Sequence, residues 1–257
     1  MTYPTIDPIA LDLGFIQVYW YGLMYLLAFL AAYFLANYRA KKSNHWNSQQ
    51  IEDMIFYGAI GVVIGGRLGY MLFYSLSTFI SDPLSIFAIQ SGGMSFHGGF
   101  LGVLLAMVLF NQKHNKSFFV TMDFVAPLVP LGLGFGRLGN FINGELWGKV
   151  TDSSLGMYIQ TQDLTRYPSQ LYEAFLEGLV LFIILWVFSS KPRPLMSVSA
   201  LFLIFYGIFR FVIEFVRVPD VQLGYLAFDW LTMGQLLSLP MIILGIYLFY
   251  KTNKQQA

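Results

Sequence analysis

Arg137-Leu138-Gly139-Asn140-Phe141-Ile142, continued by Asn143-Gly144-Glu145-Leu146-Trp147-Gly148, sets a guanidinium, two amides and a carboxylate at the end of a glycine-rich apolar segment. Ionisable groups persist in such segments when they pair with one another or handle a polar substrate. A planar guanidinium beside amides suits a phosphate, whose oxygens accept its parallel N–H donors. Tyr206, Arg210 and Glu214 fall at i, i+4 and i+8 and make one helical stripe, with Arg217 three residues further on. A single Arg–Glu pair of this kind would only neutralise itself. Arg67, Arg137 and Arg210 can be set against Glu173, Glu177 and Glu214, so full mutual pairing is one reading. The amide-rich setting of Arg137 favours the other, a functional site.

His97 follows Ser95-Phe96 and precedes Gly98-Gly99, which leaves room for another molecule beside the imidazole. Its ordinary pKa suits proton transfer near neutrality, so it is a candidate base as well as a candidate structural histidine. His45 and His114 sit beside lysines in connecting segments and read as solvated surface residues. No His, Asp or Glu spacing matches a metal site, and no cofactor is implied. The chain has no cysteine, so any thiol in its chemistry comes from a substrate.

The elements that hold these residues are membrane helices. Of the 257 residues 56% are hydrophobic and 11% charged, and the mean hydropathy is +0.61, beyond the range of ordinary soluble domains. A net charge of +1 excludes a polybasic nucleic-acid binder. At about 20 apolar residues per crossing, spans fall near 17–37, 52–74, 95–111, 122–141, 168–189, 197–216 and 231–250. The reading is therefore an all-α integral membrane protein with seven transmembrane helices in a single polytopic domain, 1–257.

Arg39, Lys41, Lys42, Lys113, Lys116, Lys191, Arg193, Lys251 and Lys254 lie in the connections after the odd-numbered spans. The positive-inside rule puts them in the cytoplasm, so the N-terminus is outside and the C-terminus cytoplasmic. The first sixteen residues lack a basic region, and the first span is expected to be retained rather than cleaved. Residues 142–167 are expected to form a small periplasmic cap. Asp123 reads as a charge in the first turn of its own helix, and Trp20, Trp147 and Trp230 as interfacial aromatics.

Glycines 61, 65 and 69, 98 and 102, and 132 and 136 have the spacing that lets helices approach closely in lipid. By depth, Tyr21, Arg67, His97, Arg137, Asn140, Glu173, Glu177, Tyr206, Arg210 and Glu214 all fall toward the outer side. That distribution predicts a polar cavity open to the outer leaflet, where a lipid headgroup enters laterally.

The same residues resemble the prolipoprotein diacylglyceryl transferases of bacterial inner membranes, over nearly the whole chain. The resemblance is carried by Trp20-Tyr21-Gly22-Leu23-Met24-Tyr25, Gly65-Gly66-Arg67-Leu68-Gly69-Tyr70, Gly93-Met94-Ser95-Phe96-His97-Gly98-Gly99, the run from Gly136 to Gly148, Pro168-Ser169-Gln170-Leu171-Tyr172-Glu173, and Tyr206-Gly207-Ile208-Phe209-Arg210 with Glu214-Phe215. It implies transfer of the diacylglyceryl group of phosphatidylglycerol to the thiol of the lipobox cysteine in a prolipoprotein signal peptide, with release of glycerol phosphate. The positions it associates with activity are Tyr21, His97, Arg137, Asn140, Glu145, Gly148, Tyr206, Arg210 and Glu214. The chain departs from the family at Tyr167, where histidine is common.

Under that reading the leaving phosphate needs charge stabilisation and the thiol must lose its proton. Arg137 and Arg210 are expected to serve the first need. Asn140 and Asn143 would orient the headgroup, Glu145 and Glu214 would hold the guanidinium groups, Tyr21 would position the ester, and His97 would act as base. A thiol with an ordinary pKa of about 8.5 beside two arginines ionises with little help. An outward-facing transporter of an anionic lipid or solute would use the same arginines. It would also need an inward-facing polar cluster, and the sequence offers none. A membrane assembly protein would use the charges only to pair helices.

Overall fold

The computed structural model describes residues 1–43, 45–88, 92–219 and 223–254. Among the described residues ten α-helices follow one another: α1 Trp20–Lys41, α2 Ser48–Phe73, α3 Leu76–Ser81, α4 Phe96–His114, α5 Phe118–Val125, α6 Val129–Ile142, α7 Ser169–Glu173, α8 Leu181–Phe188, α9 Ser197–Ile213 and α10 Met233–Lys254. A π-helical turn over Ala174–Val180 joins α7 to α8 without a break, so Ser169–Phe188 forms one 20-residue rod. Two short antiparallel ribbons, β1 Ile9–Asp12 with β2 Gln17–Tyr19 and β3 Met157–Ile159 with β4 Leu164–Arg166, lie outside the helices. The all-α expectation holds for the long apolar segments, and the strands are ribbons of three or four residues outside them.

Among the described residues four helices are long and apolar enough to cross a bilayer, and a fifth crossing results if α5 and α6 count as one. These two meet at 50°, where a single span was expected over 122–141. Pro127 lies in the break and has no N–H to continue the ladder. α4 and α9 also form where spans were expected, and α9 is the shorter at 17 residues. Along these helices, large apolar side chains such as Leu30, Phe34, Phe100, Leu101, Leu105, Ile243 and Tyr247 are exposed. Lipid, not water, is the solvent such faces fit.

The chain divides into two compact units, Met1–Ala32 with Met122–Ala257, and Tyr33–Thr121. In the second unit α2 and α4 cross on facing glycines. A Cβ on Gly61 would meet Ala106, one on Gly102 the Gly61 carbonyl and the Gly65 Cα, and one on Gly98 the Gly65 carbonyl and the Gly69 Cα. The obstacles are largely backbone, so they cannot yield by changing rotamer. Gly98→Leu is expected to destabilise this unit by at least about 3 kcal/mol, at the upper end for overpacking, measured as earlier thermal aggregation in detergent.

Arg67, buried in α2, donates from Nε to the Ile86 carbonyl at 3.0 Å, from Nη1 to Gly92 and Gly93 at 2.5 and 3.1 Å, and from Nη2 to Ser85 and Ala88 at 2.6 and 3.0 Å. The sequence grouped it with the other arginines. Its donors are instead taken up by the carbonyls of the segment between α3 and α4, which makes it a structural clamp. His114 is also not the solvated residue expected. Its Nε2 lies 2.8 Å from Asp53 Oδ2 and its ring tilts against Phe110.

In the first unit, α6 approaches the π-helical turn where Gly134 faces Gly178. Gly134, not Gly136, is the close-contact glycine. Ala126, Leu181, Leu185 and Val198 form the core beside it, with Phe202, Phe205, Tyr206 and Phe209 packed around them. Asp123 accepts from Met196 N–H at 2.6 Å and from the Ser199 N–H and hydroxyl at 2.8 and 2.6 Å. It therefore caps the start of α9 rather than its own helix, because α5 already begins at Phe118.

Candidate active site

α6, α7 with its π-helical extension, and α9 bring together six charged groups in the first unit. Arg137 stands one turn before the end of α6, and its Nε lies 2.7 Å from Glu173 Oε2. Arg210 Nη1 is 3.0 Å from the same oxygen and 3.9 Å from Glu177, while Nη2 is 2.6 Å from Glu214 Oε1, one turn further along α9. Arg217, just beyond α9, reaches Glu173 at 3.8 Å and Glu214 at 3.5 Å.

Three guanidinium groups thus face three carboxylates, and the full pairing allowed by the sequence is realised with Arg217 in place of Arg67. The two signs are not equally placed. The side chains of Arg137, Arg210 and Arg217 are 24%, 18% and 11% exposed, whereas those of Glu173, Glu177 and Glu214 are 0%, 1% and 5% exposed. The carboxylates lie behind and fix the guanidinium groups, so the accessible edge of a formally balanced cluster is cationic.

The amides extend that edge. Arg137 Nη1 donates to Asn140 Oδ1 at 3.5 Å, and Asn140 Nδ2 donates to Glu145 Oε1 at 2.8 Å. Asn143 Nδ2 donates to the same carboxylate oxygen at 3.3 Å. Glu145 was expected to hold a guanidinium group in place. It reaches Arg137 only through Asn140, while Glu173 makes the direct contact. Gln170 Nε2 donates to the Glu145 carbonyl and the Ser169 hydroxyl to that of Leu146, at 3.0 Å. The start of α7 thereby anchors the loop after α6.

Tyr21, at the start of α1, packs on Gly139, and its hydroxyl lies 3.5 Å from that of Tyr25. Tyr206 stacks on Phe202 with ring centres 5.6 Å apart. Gly148 ties the chain after α6 to two distant segments: its N–H donates to the Tyr167 carbonyl at 2.9 Å, and it bridges to Arg217. A Cβ there would collide with the Val216 and Tyr167 carbonyls, so only glycine fits. Trp147, expected among the interfacial aromatics, is buried in a small core with Met157 and Ile159, its Nε1 donating to the Gly144 carbonyl at 2.9 Å.

His97 belongs to the second unit, exposed in the first turn of α4, which Ser95 caps by accepting from Gly98 N–H at 3.2 Å. Its ring meets Phe96 edge-on at 5.7 Å. Among the described residues, no group of His, Asp and Glu side chains is arranged to hold a metal ion.

Sequence reasoning placed Arg137, Asn140, Arg210 and Glu214 in this neighbourhood. It missed Glu173 as the shared acceptor of three arginines. The available signal was a carboxylate at the same depth as the arginines. It also missed Thr232, whose hydroxyl donates to Glu214 Oε2 at 2.6 Å.

The sequence matches the family described as prolipoprotein diacylglyceryl transferase over residues 8–251. Proteins named phosphatidylglycerol–prolipoprotein diacylglyceryl transferase are similar along nearly their whole length. One from Hydrogenovibrio crunogenus is 56% identical, with 100% of this chain and 99% of the relative covered. One from Acinetobacter baumannii is 56% identical over 97% of this chain and 94% of the relative. One from Pseudomonas entomophila is 55% identical over 97% and 95%.

Proposed function

The chain belongs to the prolipoprotein diacylglyceryl transferase family, and from this premise we propose that it transfers the diacylglyceryl group of phosphatidylglycerol to the lipobox cysteine of a prolipoprotein, the first step of lipoprotein maturation. The glyceryl carbon that carries the phosphate ester is attacked by the cysteine sulfur. The C–S bond of a thioether forms, the C–O bond to phosphate breaks, and glycerol phosphate departs with the bonding pair.

The observation that carries the assignment of roles is the cationic edge of the charged cluster. Arg137 uses Nε on Glu173 and Nη1 on Asn140, and Arg210 uses one N–H on each of two carboxylates. Each guanidinium has five N–H donors, so both keep donors for the phosphate oxygens while their planes are fixed from behind. Donors fixed in advance within a poorly solvated site stabilise a developing dianion most strongly. Asn140 and Asn143 belong to the same edge and orient the headgroup. Tyr21, against Gly139, and Tyr206, stacked on Phe202, confine the ester. Glu214 holds Arg210, Glu145 steadies Asn140, and Gly148 lets the cap close over the end of α9.

His97 is the proposed acceptor of the thiol proton. Its exposed position in the first turn of α4 supports access by a peptide. His97→Gln is expected to lower transfer by about 10²-fold, in the range for loss of a general base, and to flatten the acidic limb of the pH–rate profile. Full activity with an unchanged profile would remove His97 from the mechanism.

The proposal includes seven spans, with N-terminus outside, C-terminus cytoplasmic, and the site facing the periplasmic leaflet of the bacterial inner membrane. It is supported by helices in all seven expected segments and by the lysine and arginine bias of alternate connections. The test of function uses purified protein in detergent with phosphatidylglycerol and a lipobox peptide. A mass gain of one diacylglyceryl group on the peptide cysteine, with glycerol phosphate released, is the expected result. An unmodified peptide would refute the proposal.

A further inference from the structure

Glu214 immediately follows α9, and its carboxylate is held from two sides. Oε1 faces Arg210 Nη2 at 2.6 Å, and Oε2 accepts from the Thr232 hydroxyl at 2.6 Å. Thr232 immediately precedes α10 and is 2% exposed. Its N–H donates to Gln235 Oε1 at 3.0 Å, and Gln235 N–H donates back to Thr232 Oγ1 at 3.2 Å. This is a reciprocal capping box of the Thr-x-x-Gln type.

The box also fixes the threonine proton. The Oγ1 atom is already an acceptor for Gln235 N–H, so the hydroxyl hydrogen is directed at Glu214. Gly234 completes the cradle, since a Cβ there would fall within 3 Å of the Glu214 carboxyl carbon and Oε1. The start of α10 therefore sets the rotamer of the carboxylate that sets the plane of the Arg210 guanidinium.

We infer that Thr232 is a positioning residue for diacylglyceryl transfer, acting through Glu214 to orient Arg210 toward the phosphate. This rests on the function proposed above. Helix capping alone would make Thr232 a contributor to stability and nothing more. A positioning role predicts a kinetic effect that survives when the cap is kept. Thr232→Val removes both the cap and the donor, and Thr232→Gly removes the donor while keeping most of the capping tendency, because glycine ranks close to threonine as an N-cap. Thr232→Ser keeps both.

The experiment compares the full-length chain and these variants in detergent micelles with phosphatidylglycerol and a lipobox peptide. It reads kcat, KM for the lipid, and the inhibition constant of added glycerol phosphate. Thr232→Val and Thr232→Gly are each expected to lower kcat by about tenfold and to weaken inhibition by glycerol phosphate by a similar factor, with KM changed by less than about threefold. Thr232→Ser is expected to stay within about twofold of the parent on both readings. Parent values of kcat and of the inhibition constant in Thr232→Gly would overturn the inference while leaving the function intact. Absence of transfer by the parent protein would overturn the function and this inference together.

Discussion

Arg210→Lys is expected to lower transfer to a lipobox peptide by at least about 100-fold, the scale seen when a fixed donor to a developing oxyanion is lost, while the protein still extracts as a monodisperse species. The reason is geometric. Arg210 contacts Glu173 through Nη1 at 3.0 Å and Glu214 through Nη2 at 2.6 Å, so one rigid plane spans two carboxylates on different helices. A lysine ammonium keeps the charge but is a point donor on a flexible stem and cannot meet both while presenting parallel N–H groups to a phosphate. Arg137→Lys is expected to behave alike, because Nε, the atom used on Glu173, has no counterpart in lysine. Single-turnover measurements at saturating phosphatidylglycerol separate the chemical step from lipid binding. Parent rates in both variants would eliminate the arginine clamp.

The second large effect is expected at Glu173. Its Oε2 is within 3.0 Å of Arg137 and Arg210 and 3.8 Å from Arg217, and its side chain is fully buried. Glu173→Gln keeps shape but leaves three arginines with two carboxylates. Breaking a buried pair by removing one partner costs about 3–5 kcal/mol, chiefly because a charge is left uncompensated. The variant is expected to melt well below the parent in detergent and to lose transfer at temperatures where it remains folded. Glutamine at 173 should also let excess phosphatidylglycerol protect against unfolding more than in the parent, because an anionic headgroup supplies the missing charge. A melting temperature and activity equal to the parent would show that Glu173 is not the organiser of the cluster.

These two residues mark how far the sequence could be read. Arg210 with Glu214 was visible because both lie on one helix at i, i+4, a relation that needs only the helical period. Glu173 was visible as a charge at the right depth but not as the shared acceptor, because its partners are 36, 37 and 44 positions away. Arg67 shows the opposite failure. Its type and depth matched the other arginines, yet its five donors all meet backbone carbonyls between Ser85 and Gly93. Which arginine binds a ligand and which clamps a loop depends on where carbonyls are left unpaired, and that follows from the path of the chain. Thr232 was legible in principle, since Thr-x-x-Gln before an apolar run signals a helix start. Its second partner, Glu214, was not.

The amino-acid sequence by itself determined the membrane class, the segments that become helices, the family and the residue types at its motifs. Apolar length, glycine spacing and local periodicity act over a few turns, and the backbone must satisfy its own hydrogen bonds in lipid. Tertiary structure alone decided that Asp123 caps a helix more than seventy residues away, and that Glu173 gathers three guanidinium groups with the carboxylates behind them. Such contacts arise from the crossing of helices distant in sequence, where burial and charge are settled together and no single segment carries the answer.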